Sequence, residues 1–212
     1  MVENDFWKLR DQVTTCFKCG LHIDGIHPIF GEGQFDVKVI FIGEAPGATE
    51  NKLKRPFVGA SGKVLNGFLK KIGLLRNDVF ITNIVKCRPP KNRDPTKEEI
   101  DVCSPYILQQ IGIMHPDIVV TLGRFAAGFF VSGFKSMSEI VGRIHRLEKH
   151  NSSLLPMFHP ATALYSRNRY LPIFERDFLT LKKFLDRNNL LWVENPTHEK
   201  EKEERKSLDR FF

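Results

Sequence analysis

No apolar run in the chain approaches the roughly 18 residues needed to span a membrane. The opening Met1-Val2-Glu3-Asn4-Asp5 lacks the basic-then-apolar layout of a secretion signal. A soluble, intracellular (cytoplasmic) protein is the resulting expectation. Internal repeats are missing, and so is the GxGxxG fingerprint of a dinucleotide site. Cysteine is scarce: there are four, at positions 16, 19, 87 and 103. In a reducing compartment two disulfides are disfavoured, which leaves a metal site, a cluster, catalysis or buried thiols. Cys16-x-x-Cys19 is a close pair, but the second close pair of a zinc ribbon is absent. Four thiolates drawn from three places in the chain also suit an iron–sulfur cluster.

What is present is enough for one globular domain: 212 residues, 42% of them hydrophobic. The formal net charge of +7 is unevenly spread. Residues 194–212 hold six acids and five bases, so that segment is at −1 and the body before it at +8. A positive body favours a polyanionic partner through phosphate contacts and counterion release. The expected division is a domain over 1–192 and a flexible charged tail over 193–212.

The chain is organised around Val37 to Gly62. Val37–Ile42 is apolar apart from Lys38, as in a parallel strand buried on both faces. Gly43-Glu44-Ala45-Pro46-Gly47 then breaks the strand, since Pro46 lacks a donor and the glycines admit unusual backbone geometry. Ligands in open α/β sheets sit just past the carboxyl ends of strands, which makes Glu44 a candidate site residue.

Elsewhere the spacing predicts a helix over Asp5–Thr15, which delivers Cys16 and Cys19, and a crossover helix over Ser61–Ile72 capped by Ser61. Further strands are expected at Val79–Val85, Asp117–Leu122 and Leu154–Phe158, the last at an edge because of Pro156. Helices are expected at Lys97–Met114, with Cys103 facing inward, at Phe125–Val131 and at Pro172–Asp186. Ser136–Lys149 is ambiguous, a helical turn followed by an edge strand being one reading of it. Four strands alternating with helices predict a three-layer α/β/α fold with a four-stranded parallel sheet. Its carboxyl edge would present Glu44, Asn83, Arg124 and His159 together. Asn83 interrupts an apolar strand, so its amide must be satisfied by backbone or by a ligand.

Lys86 to Arg93 has four bases, no acid and two prolines, a composition suited to phosphate contact. Lys86, Arg88 and Arg93, with Arg167 and Arg169 of Tyr165–Tyr170, are the candidate phosphate-contact residues.

Taken together, Gly43-Glu44-Ala45-Pro46-Gly47, Pro56-Phe57-Val58-Gly59, Thr82-Asn83-Ile84-Val85-Lys86-Cys87-Arg88-Pro89-Pro90 and His159-Pro160-Ala161 resemble the family 4 uracil-DNA glycosylases. The similarity covers roughly residues 3 to 188. It implies removal of uracil from DNA by hydrolysis to leave an abasic site, and a [4Fe-4S] cluster on Cys16, Cys19, Cys87 and Cys103. It also implies that Gly43, Ala45, Pro46 and Gly47 line the uracil pocket, with Phe57 stacking on the base, Asn83 reading its edge and His159 against its O2. Glu50 matches a position thought to crowd thymine's methyl group. Glu44, Asn83 and His159 are the expected catalytic set. The protein is expected to be a monomer acting on single- or double-stranded uracil-containing DNA.

The last residues, Arg205 to Phe212, resemble the motif by which replication proteins dock on the sliding clamp, with Leu208, Phe211 and Phe212 as an apolar plug. Competing readings are an electron-transfer protein and a non-catalytic DNA-binding or polymerase-associated iron–sulfur module of the same superfamily.

Overall fold

The computed structural model describes residues 2–23 and 25–190. The chain divides into two compact units, residues 1–181 and 182–212. In the first, helix α1 (Val2–Thr14) buries Phe6, Leu9 and Val13, the stripe its apolar spacing predicts. Strand β1 (Val39–Gly43) is buried at every residue and leads through a turn to α2 (Ala48–Leu53) and α3 (Ala60–Lys71). The expected Ser61 cap is a correction: α3 starts one residue earlier, with Gly59 as N-cap and no side-chain cap hydrogen bond.

Strand β2 (Phe80–Asn83) precedes the long helix α4 (Lys97–Met114), which Thr96 and Glu99 close with a reciprocal capping box. Strand β3 (Ile118–Leu122), α5 (Arg124–Phe130), α6 (Met137–Ile140), β4 (His145–Leu147), β5 (Ser152–Met157) and α7 (Thr162–Tyr165) follow. Helix α8 (Arg167–Arg187) is longer than its sequence expectation and absorbs part of the Tyr165–Tyr170 segment. In the second unit, the described residues finish α8 with a Lys182–Asp186 ion pair and Asn188 capping the Phe184 carbonyl.

Among the described residues the sheet has five strands in the order β2-β1-β3-β5-β4. The four-strand count is therefore corrected. β2, β1, β3 and β5 are parallel, and β4 runs antiparallel to β5. The ambiguous Ser136–Lys149 stretch supplies both the helical turn and this edge strand. β5 is consequently an inner strand, and Pro156 lies within the register with β3, opposite Thr121. Proline lacks only the N–H, so one missing ladder bond is tolerated where β4, too short to reach that residue, stops at the Leu154 pair. No helix among the described residues is long and apolar enough to cross a membrane.

Candidate active site

Parallel strands end on one edge of the sheet, and the loops beyond β1, β2, β3 and β5 carry the predicted site residues there. Gly43 pairs with Asn83 at the end of β1 and β2. The ladder then continues past both strands, with Ile84 N–H donating to the Gly43 carbonyl and Val85 N–H to that of Glu44, each at 2.9 Å. These bonds fix the backbone under both Glu44 and Asn83.

Asn83 is 1% exposed, and its Oδ1 is buried without a hydrogen-bond partner. Such an orphan costs about 1–3 kcal/mol unless a donor arrives. The oxygen faces Gly43 and Phe57: a Cβ added at Gly43 would collide with Asn83 Oδ1 and the Phe57 ring edge. Only glycine lets the end of β1 pack this closely on both side chains. Phe57 in turn lies beside His159, their ring centroids 5.7 Å apart and the planes tilted by 34°.

His159 follows β5 by two residues and packs against Gly123, where an added Cβ would come within 3.1 Å of the histidine Cβ. Its Nδ1 accepts the Ala161 N–H at 3.2 Å. Desolvation pushes its pKa down to about 4, with Glu50 opposing. Both facts describe a neutral imidazole whose proton sits on Nε2, ready to donate.

Glu44 is half-buried, and its carboxyl is pushed up to about 7, first by burial and then by Asp94. A carboxylate near neutrality can take a proton at physiological pH. Pro46 is buried beside it, Ala45 packs on the core, and Gly47 serves as N-cap of α2. Glu50 has a backbone role: it accepts the N–H groups of Val58 at 3.0 Å and Gly59 at 2.7 Å. It thus ties the Phe57 loop to α2.

The basic residues divide into three groups. Lys86 is a correction: it is 1% exposed, and its Nζ donates to Thr82 Oγ1, the Asn83 carbonyl and Gln110 Oε1 at 2.7, 2.8 and 2.7 Å. All three ammonium hydrogens are used internally, so Lys86 does not reach a phosphate. Arg93 is forked onto Glu99 at 2.8 and 2.6 Å. Arg88 donates to Asn92, while Arg124, Arg167 and Arg169 lie exposed on the surface. Beside them, Leu164 and Tyr165 of α7 are 47% and 87% exposed.

The four cysteines are neighbours across α1, β2 and α4. Cys87 and Cys103 are buried, and Cys16 and Cys19 pack against the same core. The Cys87 thiol is pushed up to about 12 by burial first, then by Cys103, Cys19 and Cys16. Backbone N–H groups already point at sulfur, Lys18 at Cys16 (3.5 Å) and Lys86 at Cys103 (3.3 Å). The four side chains that meet here are all sulfur donors, a set whose chemistry suits a soft metal ion or an iron–sulfur cluster.

Three charged residues around the Phe57 loop had no signal in the sequence. Arg76, Glu32 and Arg55 form a hydrogen-bonded network that reaches the Phe57 carbonyl, and its partners are 23 and 44 residues apart.

Comparison with known proteins matches residues 30–187 to the uracil DNA glycosylase superfamily. The chain is 43% identical to a type-4 uracil-DNA glycosylase of Sulfurisphaera tokodaii over 183 residues, 83% of each chain. It is 40% identical to the type-4 enzyme of Archaeoglobus fulgidus, over 79% of this chain and 86% of that one. Against the type-4 enzyme of Thermotoga maritima the identity is 42%, over 77% and 85%.

Proposed function

From the premise that this chain belongs to the uracil-DNA glycosylase superfamily, and within it to the type-4 enzymes, we propose that it excises uracil from DNA by hydrolysing the N-glycosidic bond. The observation that carries the reading is the convergence of Gly43, Phe57, Asn83 and His159 on one cradle.

A base inside a duplex is out of reach, so the uridine is flipped out at a cost of a few kcal/mol, lowest for a mispaired base. Phe57 supplies the stacking floor, worth about 1–3 kcal/mol. The buried Asn83 amide pairs with uracil N3–H through its orphan Oδ1 and with O4 through its N–H. Cytosine presents the reverse pattern and would leave both groups unpaired.

Cleavage puts negative charge on uracil and positive charge on the sugar. The neutral His159 donates from Nε2 to O2 of the departing base, as an oxyanion donor does. Glu44 accepts a proton from the water that adds at C1′, and the released uracil anion takes up a proton in turn. The products are free uracil and an abasic site, the starting point of base excision repair.

The cysteine set supports a [4Fe-4S] cluster held by Cys16, Cys19, Cys87 and Cys103, which when bound would cross-link α1, the end of β2 and α4. Arg88, Arg167 and Arg169 are read as phosphate contacts, with the exposed Arg124 added to them and Arg93 left to its Glu99 pair; Leu164 is read as the side chain that fills the gap left by the flipped base. Leu208, Phe211 and Phe212 lie outside the described residues. Their pattern supports docking of the monomer on a sliding clamp; deleting Leu208–Phe212 would abolish clamp binding and spare activity on short oligonucleotides.

The test is a uracil-containing oligonucleotide incubated with the protein and then treated with alkali. Uracil-dependent strand cleavage is expected. An intact strand after prolonged incubation with folded protein would overturn the reading and favour a binding module.

A further inference from the structure

Phe57 is a non-glycine residue at φ 49°, in the left-handed region. A side chain there costs on the order of 1–2 kcal/mol, and such strain persists only where the surroundings over-determine it. The surroundings of Phe57 do so from two sides. Glu50 takes the N–H groups that follow it, at Val58 and Gly59. Arg76 takes the carbonyls at and before it: Nη1 donates to the Phe57 oxygen at 3.1 Å, and Nη2 to the Pro56 oxygen.

The remaining guanidinium donors are also committed. Nε and Nη2 bind Glu32 at 2.7 and 3.3 Å, and Nη1 binds Asn66 Oδ1 at 3.1 Å. With all five N–H groups used, the guanidinium has one orientation. Glu32 is itself fixed. Its backbone exchanges two hydrogen bonds with Ile81 of β2, at 2.9 and 2.8 Å, and Arg55 forks onto its carboxylate at 2.9 and 2.8 Å. The flanking Gly33, at φ 133°, permits this approach, since a Cβ there would run into the Val79 carbonyl. Side chains of Arg76 and Glu32 are only 15% and 19% exposed, so the pair is shielded more than a surface salt bridge. Burial alone would raise the Glu32 pKa, yet the two arginines hold it down to about 2.

We propose that Arg76, aligned by Glu32, is a positioning residue for catalysis: it transmits the rigidity of β2 to the strained Phe57 backbone and so keeps the aromatic ring in place under the flipped base. The inference rests on the reading of Phe57 as the uracil floor. Lysine cannot substitute, because one ammonium does not span two carbonyls, an amide and a carboxylate in a fixed plane.

A double-mutant cycle tests it, with single-turnover excision and inhibition by free uracil as the two readouts. Arg76→Gln should slow excision by roughly 10- to 100-fold, the scale of a displaced catalytic geometry, and weaken uracil inhibition by a similar factor. Arg76→Lys should fail to rescue. In a Phe57→Ala background, Arg76→Gln should change both readouts less than about twofold, because the ring it positions is gone. A purely structural Arg76 would lower thermal stability while its effect persisted undiminished in the Phe57→Ala background, which overturns the proposal. Should Arg76→Gln not fold, the same cycle run with Glu32→Gln decides in the same way. A wild-type protein that leaves uracil in place would refute the functional reading instead, so the two failures are distinguishable.

Discussion

The rings of Phe57 and His159, 102 residues apart in the chain, have centroids separated by 5.7 Å at an angle of 34°. Neither stacked nor perpendicular, the two rings are tilted neighbours. Gly43 and Asn83 pack on the Phe57 side, where a Cβ added at Gly43 would collide with both Asn83 Oδ1 and the Phe57 ring.

Removing either polar side chain should therefore be costly. His159→Ala and Asn83→Ala are each expected to cut the single-turnover rate by roughly 10- to 1000-fold, the range for a lost oxyanion donor. Gly43→Ala should be at least as severe, because its methyl group would collide with Asn83 Oδ1 and the Phe57 ring and displace both. Rapid-quench measurements on a uracil oligonucleotide check all three, and near-normal rates would remove this mechanism.

The pH profile separates the roles of Glu44 and His159. Glu44, raised to about 7, must be ionised to accept a proton, so the log of the rate should rise with unit slope below about pH 6, bend near 7 and level by about 8. Glu44→Gln should flatten that limb and lower the plateau by about 100-fold or more. His159, lowered to about 4, stays neutral throughout and adds no limb near 6.5. Its folded pKa lies below the unfolded value, so its contribution to stability is full above about 6.5 and is lost as pH falls toward 4. Denaturant titrations of wild type and His159→Gln should converge on the acid side of that window.

Much of this site was legible because strand ends are legible. Glu44, Asn83 and His159 each follow or end an apolar run, and parallel topology alone gathers them on one edge. What escaped was whatever depends on facing direction or on pairing across distance. Lys86 sits in a basic run and reads as a phosphate ligand, yet its neighbours Thr82 and Gln110 turn it inward. Arg76 lies in a short helical turn, Arg76–Asp78, with no local pattern, and meets Glu32 only through the sheet edge. The fifth strand, His145–Leu147, three residues long and partly polar, was legible only as an edge strand within the ambiguous Ser136–Lys149 stretch and so falls outside the four-strand count.

Lys86 suggests a stability experiment. Lys86→Met keeps the volume but leaves Thr82 Oγ1, the Asn83 carbonyl and Gln110 Oε1 short of a donor. Unsatisfied buried groups cost about 1–3 kcal/mol each. Since Thr82 and Gln110 also bind the Phe30 carbonyl, partial relief is available, and a loss of about 3 kcal/mol is expected. At about 2–4 °C per kcal/mol for a chain of this size, Tm should fall by roughly 6–12 °C. Calorimetry on the purified protein checks this, and an unchanged Tm would mean the network contributes nothing net.

Leu164 offers the last discrimination. It is 47% exposed on α7, three residues before Arg167 and five beyond His159, where an apolar side chain has no packing reason to face water. A wedge there would fill the space a flipped uridine vacates, and this matters only when neighbouring bases are stacked in a duplex. Leu164→Ala is therefore expected to slow excision from a uracil–guanine duplex by roughly tenfold or more, and from single-stranded DNA much less. Parallel single-turnover assays on the two substrates decide it. Equal losses on both would assign Leu164 to general DNA contact, and no loss on either would leave the neighbouring Tyr165, 87% exposed, as the side chain that enters the duplex.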